Sequence, residues 1–204
     1  MIFTETMNVT MPASCRKFLQ IGCILPDILV HTYLMGHTWD ASGKKVLRKL
    51  EKLEDWGILT IWSSLRFGMI LHYLEDYFTM AHSRYFKGDI LDHIHYETNL
   101  MNYMKELYQS ENNTSHSDIS HLIIQSADEL FERIVLLQNA YQQEIATLVD
   151  NESMCFETDL KYMNMVVQSV IEYVVPLMNK KTIVYRKLVG EAMTRMPQEY
   201  SVLQ

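Results

Sequence analysis

Apolar residues recur along this chain at helical spacing rather than in strict alternation. The first mostly apolar segment covers residues 13–35 and breaks at Pro26. Proline disfavours the α region for the residue before it and suits the first turn of a helix. Leu25–Pro26–Asp27 is therefore predicted as a joint between two helical pieces. Gly36 and Gly43 mark a predicted loop over 36–43, and the charged stretch after it reads as a short exposed helix ending near Gly57. Residues 58–83 are apolar on most sides, which predicts a central buried helix. Gly88 sits in a short break, residues 89–109 give the next helix, and SENNTSHSD at 110–118 is the clearest loop. Two long amphipathic helices follow. Ile119, Leu122, Ile123, Leu130, Ile134, Leu137, Tyr141, Ile145 and Leu148 recur at helical spacing in the first. Leu160, Met163, Val167, Val170, Ile171, Val174 and Met178 do so in the second. Pro176 is expected to kink or shorten the last turn, leaving a final helix from about Lys181 to Arg195. The expectation is one all-α, multi-helix domain over residues 1–204, with C-terminal helices within about 117–196.

Composition narrows this further. Gly and Pro together number only 11 of 204 residues, too few for the turns of a many-stranded sandwich or barrel. The hydrophobic fraction of 48% argues against disorder. No apolar run approaches the roughly 18 residues of a membrane span, so no transmembrane segment is expected. The net charge of −7 is a poor footprint for duplex nucleic acid, which needs Lys and Arg to displace counterions. Cys15, Cys23 and Cys155 do not read as a disulfide framework. They suit buried positions in a reducing compartment. The N-terminal stretch lacks a basic region followed by an apolar one. A cytoplasmic location without a signal peptide is the expectation.

Histidine placement carries the chemistry. Six of the eight His lie between residues 31 and 95, while His116 and His121 flank the polar loop. His72 and Asp76 are four apart, as are His93 and Glu97. Residues at i and i+4 share a helix face, so each pair can converge on one ion. His82 closes the predicted central helix, and Asp27 and His37 lie upstream around the proline joint. A single His on an apolar face is more often a hydrogen-bonded core residue, and one His/Asp pair also fits a plain helix-surface hydrogen bond. Two pairs and a further His on apolar helices favour metal binding. Asp76 and Glu75 stand among Leu, Tyr, Phe and Met, where a carboxylate must be paired or hold a cation. Imidazoles with carboxylates and no nearby Cys suit zinc, iron or manganese in an open site. Carboxylate-bridged iron bundles usually use paired ExxH segments. Positions 69, 79, 90 and 92 hold no Glu, so that alternative is weak.

The wording of the segment, GMILHYLEDYFTMAHSRYF and then HIHYE, resembles the zinc-dependent phospholipase C family, relatives of the zinc single-strand nucleases. The matching pattern is His72, Asp76 and His82, then His93 and Glu97 with Tyr96 before the Glu. Upstream, Gly22, Pro26-Asp27 and His37-Thr38-Trp39 are similar to the family's Gly…Pro-Asp motif and its following His. The resemblance covers roughly residues 18–100. It implies an all-α fold with its metal-site helices within about 18–109. It further implies that Asp27, His37, His72 and Asp76 hold one zinc and that His82, His93 and Glu97 hold a second. In the family, the aspartate equivalent to Asp76 also bridges to a third zinc, which takes the mature terminal amine and an early His. This chain begins Met1-Ile2 and has no His before His31. Two zinc ions are therefore expected, with the third absent or weakly held, and His31 reads better as a core or surface residue. His95 lies about 200° around the helix from His93 and is expected off the ligand face. The implied activity is hydrolysis of a phosphodiester substrate, phospholipids among them, by a zinc-activated water attacking phosphorus, with Asp27 and Asp76 as the catalytic carboxylates. A nuclease or nucleotidase using the same site is the alternative. It would stack a base on aromatics such as Tyr33, Trp39, Tyr85 and Phe86. A metal-binding helical protein without catalysis is the third reading.

Overall fold

The computed structural model of the chain describes residues 12–28, 36–52, 60–110 and 124–194. Among them are six α-helices and no strand. They are α1 (Ala13–Ile28), α2 (Trp39–Glu51), α3 (Ile61–Asp76), α4 (Ile90–Ser110), α5 (Ala127–Ile145) and α6 (Glu152–Thr194), with a short 3-10 turn, Met80–His82, between α3 and α4. The fold is all-α. No helix among the described residues is long and apolar enough to cross a membrane.

Several boundaries differ from the sequence expectation, each for a local reason. Pro26 lies inside α1, close to its C-terminus, and does not divide it. Only the bond that its missing N–H would give the Gly22 carbonyl is lost. The predicted loop at 36–43 is already helix from Trp39 onward. Asp40 in the first turn and Arg48 and Lys49 in the last complement the helix dipole. Gly43 is tolerated inside α2 because the Trp39 ring lies across it, where a Cβ would sit 2.8 Å from the indole. Gly36 is the residue that turns the chain, with φ at +73°. Its carbonyl accepts from Ser42 Oγ at 2.8 Å. The central helix is shorter than 58–83. A Thr60–Ser63 capping box starts α3. It stops at Asp76, where Thr79 turns both its N–H and its hydroxyl onto the Asp76 carbonyl. His82 therefore belongs to the separate 3-10 turn and does not close the helix. The helix predicted from about 117 starts at Ala127, with Ser126 accepting from the Glu129 N–H. Its apolar face is as expected: Leu130, Ile134, Leu137, Tyr141 and Ile145 are all buried. Finally, α6 continues through Pro176 to Thr194 as one helix, in place of the predicted break and separate last helix. Gly57, Ile119, Leu122, Ile123 and most of the 110–118 loop lie outside the described residues.

Two contacts position the site. The first is the α1–α3 crossing. A Cβ on Gly22 would lie 2.2 Å from the Leu65 carbonyl oxygen, and one on Gly68 would lie 2.1 Å from that of Leu19. The two backbones thus meet glycine to glycine. Asp27, five residues beyond Gly22, arrives beside His72, four residues beyond Gly68. Gly68→Ala is expected to force the helices apart and to cost on the order of 1–3 kcal/mol, the range for overpacking. Urea denaturation at equilibrium measures it, and an unchanged midpoint would mean that the crossing is slack. The second contact is the packing of α5 and α6 against Phe78, just past the end of α3. Phe78, Tyr141 and Tyr162 form a ring cluster there, with centroids 5.4–6.2 Å apart.

Candidate metal centre

Seven side chains from five stretches of chain meet in one cluster. Asp27 comes from the last turn of α1 and His37 from the turn before α2. His72 and Asp76 come from the last turns of α3, His82 from the 3-10 turn, and His93 and Glu97 from the first half of α4. These are the seven residues singled out in the sequence, and the structure brings all of them together. Asp27 Oδ1 lies 3.2 Å from His72 Nε2 and 4.0 Å from His37 Nδ1. Asp76 Oδ2 stands 3.0 Å from both His37 Nδ1 and His72 Nε2, and 3.8 Å from His82 Nε2. Glu97 Oε1 is 3.1 Å from His82 Nε2 and 3.0 Å from His93 Nε2.

Three overlapping trios have ligand atoms within 4.8 Å of one another: Asp27/His37/His72, His37/Asp76/His82 and His82/His93/Glu97. The last equals the expected second set. The four residues of the expected first set are split between the other two, because Asp76 faces His82 as well as His37 and His72. His37 and His82 stack with ring centroids 5.7 Å apart, which joins the two halves.

The chemistry of this donor set fits a divalent cation. Ligand atoms around a tetrahedral zinc at ~2.0–2.1 Å are about 3.3 Å apart, close to the 3.0–3.2 Å seen here between carboxylate and imidazole atoms. His72 Nε2 is buried, and neither of its carboxylate approaches has the angle of a hydrogen bond. A cation would use that lone pair. Burial by itself would lower the His72 pKa, but Asp27 and Asp76 push it up to about 10. Burial would raise Asp76, yet the imidazoles of His37, His72 and His82 hold its carboxyl well below the usual range. Glu97 is likewise held down, to about 2, by His82 and His93 against the effect of burial. His93 is raised, first by its hydrogen bond to Glu97.

Access is uneven. The His37, His72 and Asp76 side chains are largely buried, whereas that of Asp27 is 61% exposed and that of Glu97 45%. Asp27 therefore forms the mouth of one half and Glu97 that of the other. His95 is exposed on α4, off the cluster. Glu75 is not among the clustered ligands, although it shares the apolar surroundings of Asp76. Burial and the neighbouring Asp76 charge push it up to about 7. Met1, His31, His116 and His121 lie outside the described residues.

One buried carboxylate near this centre escaped the sequence reading. Asp159 of α6 has no exposed surface. Its oxygens accept from the Met80 N–H and from the hydroxyls of Tyr96 and Tyr141. Burial pushes its pKa up to about 7 against these three donors. The available signal was an acid three and seven residues before Tyr162 and Val166, on the apolar face of its own helix.

A helical fold carrying a carboxylate–imidazole cluster of this kind could hold a metal ion. The zinc dependent phospholipase C family model matches residues 9–148, and the chain belongs to that family. The match takes in α1 to α5 and all seven clustered residues, and it is wider than the motif-bearing stretch at 18–100. No curated protein and no solved structure matches the chain.

Proposed function

We propose that the chain is a zinc-dependent phosphodiester hydrolase that cleaves phospholipids in the manner of a phospholipase C. The observation that carries this reading is the convergence of Asp27, His37, His72, Asp76, His82, His93 and Glu97 inside a chain of this family. Asp27, His37, His72 and Asp76 would hold one ion, and His82, His93 and Glu97 a second. Zinc in such a site polarises phosphoryl oxygens and lowers the pKa of water to about 7. The chain's residues supply the rest. Asp27 Oδ1, at the open mouth, orients the attacking water and takes up its proton. Asp76 keeps its negative charge and fixes the His37 ring by accepting from its Nδ1. No Ser or Cys nucleophile is needed. Two divalent cations add four positive charges, which reconciles a chain of charge −7 with an anionic substrate.

The surroundings favour a lipid over a nucleotide. Ile24 and Ile28, 52% and 67% exposed, flank Asp27 on α1. Ile90, Leu91 and Ile94 stand exposed beside His93 on α4. Apolar side chains in water next to a polar site suit contact with an aggregated lipid. A cavity of about 350 Å³ lies between α2 and α3, with Tyr73 as its link to the cluster. Its buried wall is Val46, Ile70 and Tyr73, with Lys49, Lys52 and Arg66 exposed around it. The Tyr73 ring lies 5.0 Å from that of His37 and 5.7 Å from that of His72. Apolar walls with cations suit an anionic amphiphile. By contrast, Trp39 packs against Tyr77, and Phe86 against His93 and Tyr96, so these rings are engaged in packing and do not form an open stacking platform.

The test is zinc-loaded protein assayed on phospholipid in mixed micelles and on a single-stranded oligonucleotide. Release of the phosphorylated head group with an intact oligonucleotide is the expected result. Cleavage of the oligonucleotide alone would assign a nuclease. Full zinc occupancy with turnover of neither would leave a metal-binding protein without catalysis.

A further inference from the structure

The two halves of the cluster are built differently. Asp27, His72 and Asp76 stand on helices locked by the Gly22–Gly68 crossing. His82 stands on a three-residue 3-10 turn and not on a long helix. Glu97 stands on α4 with its side chain 45% exposed, and so gains little from packing. Besides the His82–Glu97 contact within the cluster itself, Asp159 joins the turn to α4. Its Oδ2 accepts from the Met80 N–H at 3.0 Å and from the Tyr96 hydroxyl at 2.8 Å. Met80 is two residues before His82, and Tyr96 is next to Glu97. Its Oδ1 accepts from the Tyr141 hydroxyl of α5 at 2.8 Å. One buried carboxylate thus fixes the turn and the rotation of α4 together, and ties both to the α5–α6 pair.

We propose that Asp159 is the positioning residue for the His82/His93/Glu97 half of the centre, acting through Met80 and Tyr96. The inference rests on the two-ion reading above. It gives α6, which lies beyond the stretch matched to the family, a part in the site. Loss of outer partners of metal ligands typically costs about 10–100-fold in affinity or activity. Among the described residues, the hydrogen bonds to Asp159 come from Met80, Tyr96 and Tyr141 and none from the Asp27/His37/His72/Asp76 half, which is left as it is.

Two conservative variants separate positioning from plain stability. Tyr96 and Tyr141 are both buried phenols that donate to the same carboxylate at 2.8 Å. Zinc titration of the metal-free full chain is compared in wild type, Tyr96→Phe, Tyr141→Phe and Glu97→Ala. The last marks which binding step belongs to this half. Tyr96→Phe is expected to weaken that step about 10–100-fold and to leave the other within about twofold. Tyr141→Phe should lower Tm while leaving both steps within about twofold. Unchanged zinc binding in Tyr96→Phe, or equal weakening of both steps in both variants, overturns the proposal. Amide exchange on the metal-free chain gives a readout that does not depend on zinc. Faster exchange at residues 80–83 and 90–97 in Tyr96→Phe than in Tyr141→Phe supports the tether, and equal exchange overturns it. If wild type binds fewer than two ions, the two-ion reading falls, and the exchange comparison still decides whether Asp159 holds these elements.

Discussion

Asp76→Asn is expected to abolish zinc-dependent hydrolysis, with a loss beyond the roughly 100-fold that outer-sphere changes reach. Asp76 Oδ2 lies within 4 Å of imidazole nitrogens from His37, His72 and His82, so it serves both halves of the cluster. The amide keeps the shape and removes the charge. An Asn nitrogen in place of Oδ2 would also set a donor against His37 Nδ1, which now donates to the carboxylate. The control is His95→Ala on α4. His95 is exposed and off the cluster, and a surface change of this kind stays within about 0.5 kcal/mol, roughly a factor of two. The measurement is turnover of an aryl phosphodiester with zinc content determined in parallel. Wild-type activity in Asp76→Asn at equal zinc occupancy would remove this carboxylate from the mechanism. A larger loss in His95→Ala than in Asp76→Asn would make His95, not His93, the partner of Glu97.

Removing zinc is expected to have the largest effect on stability. A ligand that binds only the folded chain adds about 4 kcal/mol per site at free concentrations near 1,000 times its Kd. For a chain of this size each kcal/mol moves Tm by roughly 2–4 °C, so two filled sites raise it by on the order of 15–30 °C. Chelation followed by a thermal melt reads this directly, and a shift of a degree or two would show that the cluster holds no tight ion. The pH dependence of the stripped chain has a definite sign. His72 is raised to about 10 in the folded state. The stability from its pairing with Asp27 and Asp76 is complete below its unfolded value near 6.5, and is lost as pH rises towards 10. Glu97 is depressed to about 2, so its contribution is complete above about 4.3 and is lost as pH falls towards 2. The stripped chain should thus be most stable between about pH 4.5 and 6.5. Zinc takes the imidazole lone pairs, so its binding near pH 7 should release protons. The loaded chain should hold its stability to higher pH than the stripped one.

Much of the centre was legible in the chain because helix geometry is local. At 3.6 residues per turn, His72 with Asp76 and His93 with Glu97 must each share a face wherever their helices go. The same reasoning puts Leu130, Ile134, Tyr141 and Ile145 in the core, and gives the all-α class. The family pattern added Asp27 and His37, which spacing alone could not attach to the rest.

What only the tertiary structure decided concerns the meeting of separate elements. No periodicity within α1 or α3 shows that Gly22 and Gly68 touch, yet that backbone contact brings Asp27 to His72 across 45 positions of chain. Nor does it show that α3 stops at Asp76, or that His82 is carried on a turn pinned by a residue 79 positions after Met80. Asp76 reads in sequence as the partner of His72. Folding also places it against His37 and His82, and so between two halves of a cluster. The physical reason is that intrahelical neighbours follow from bond geometry, whereas neighbours across helices follow from which surfaces pack. That packing is settled by the whole core at once.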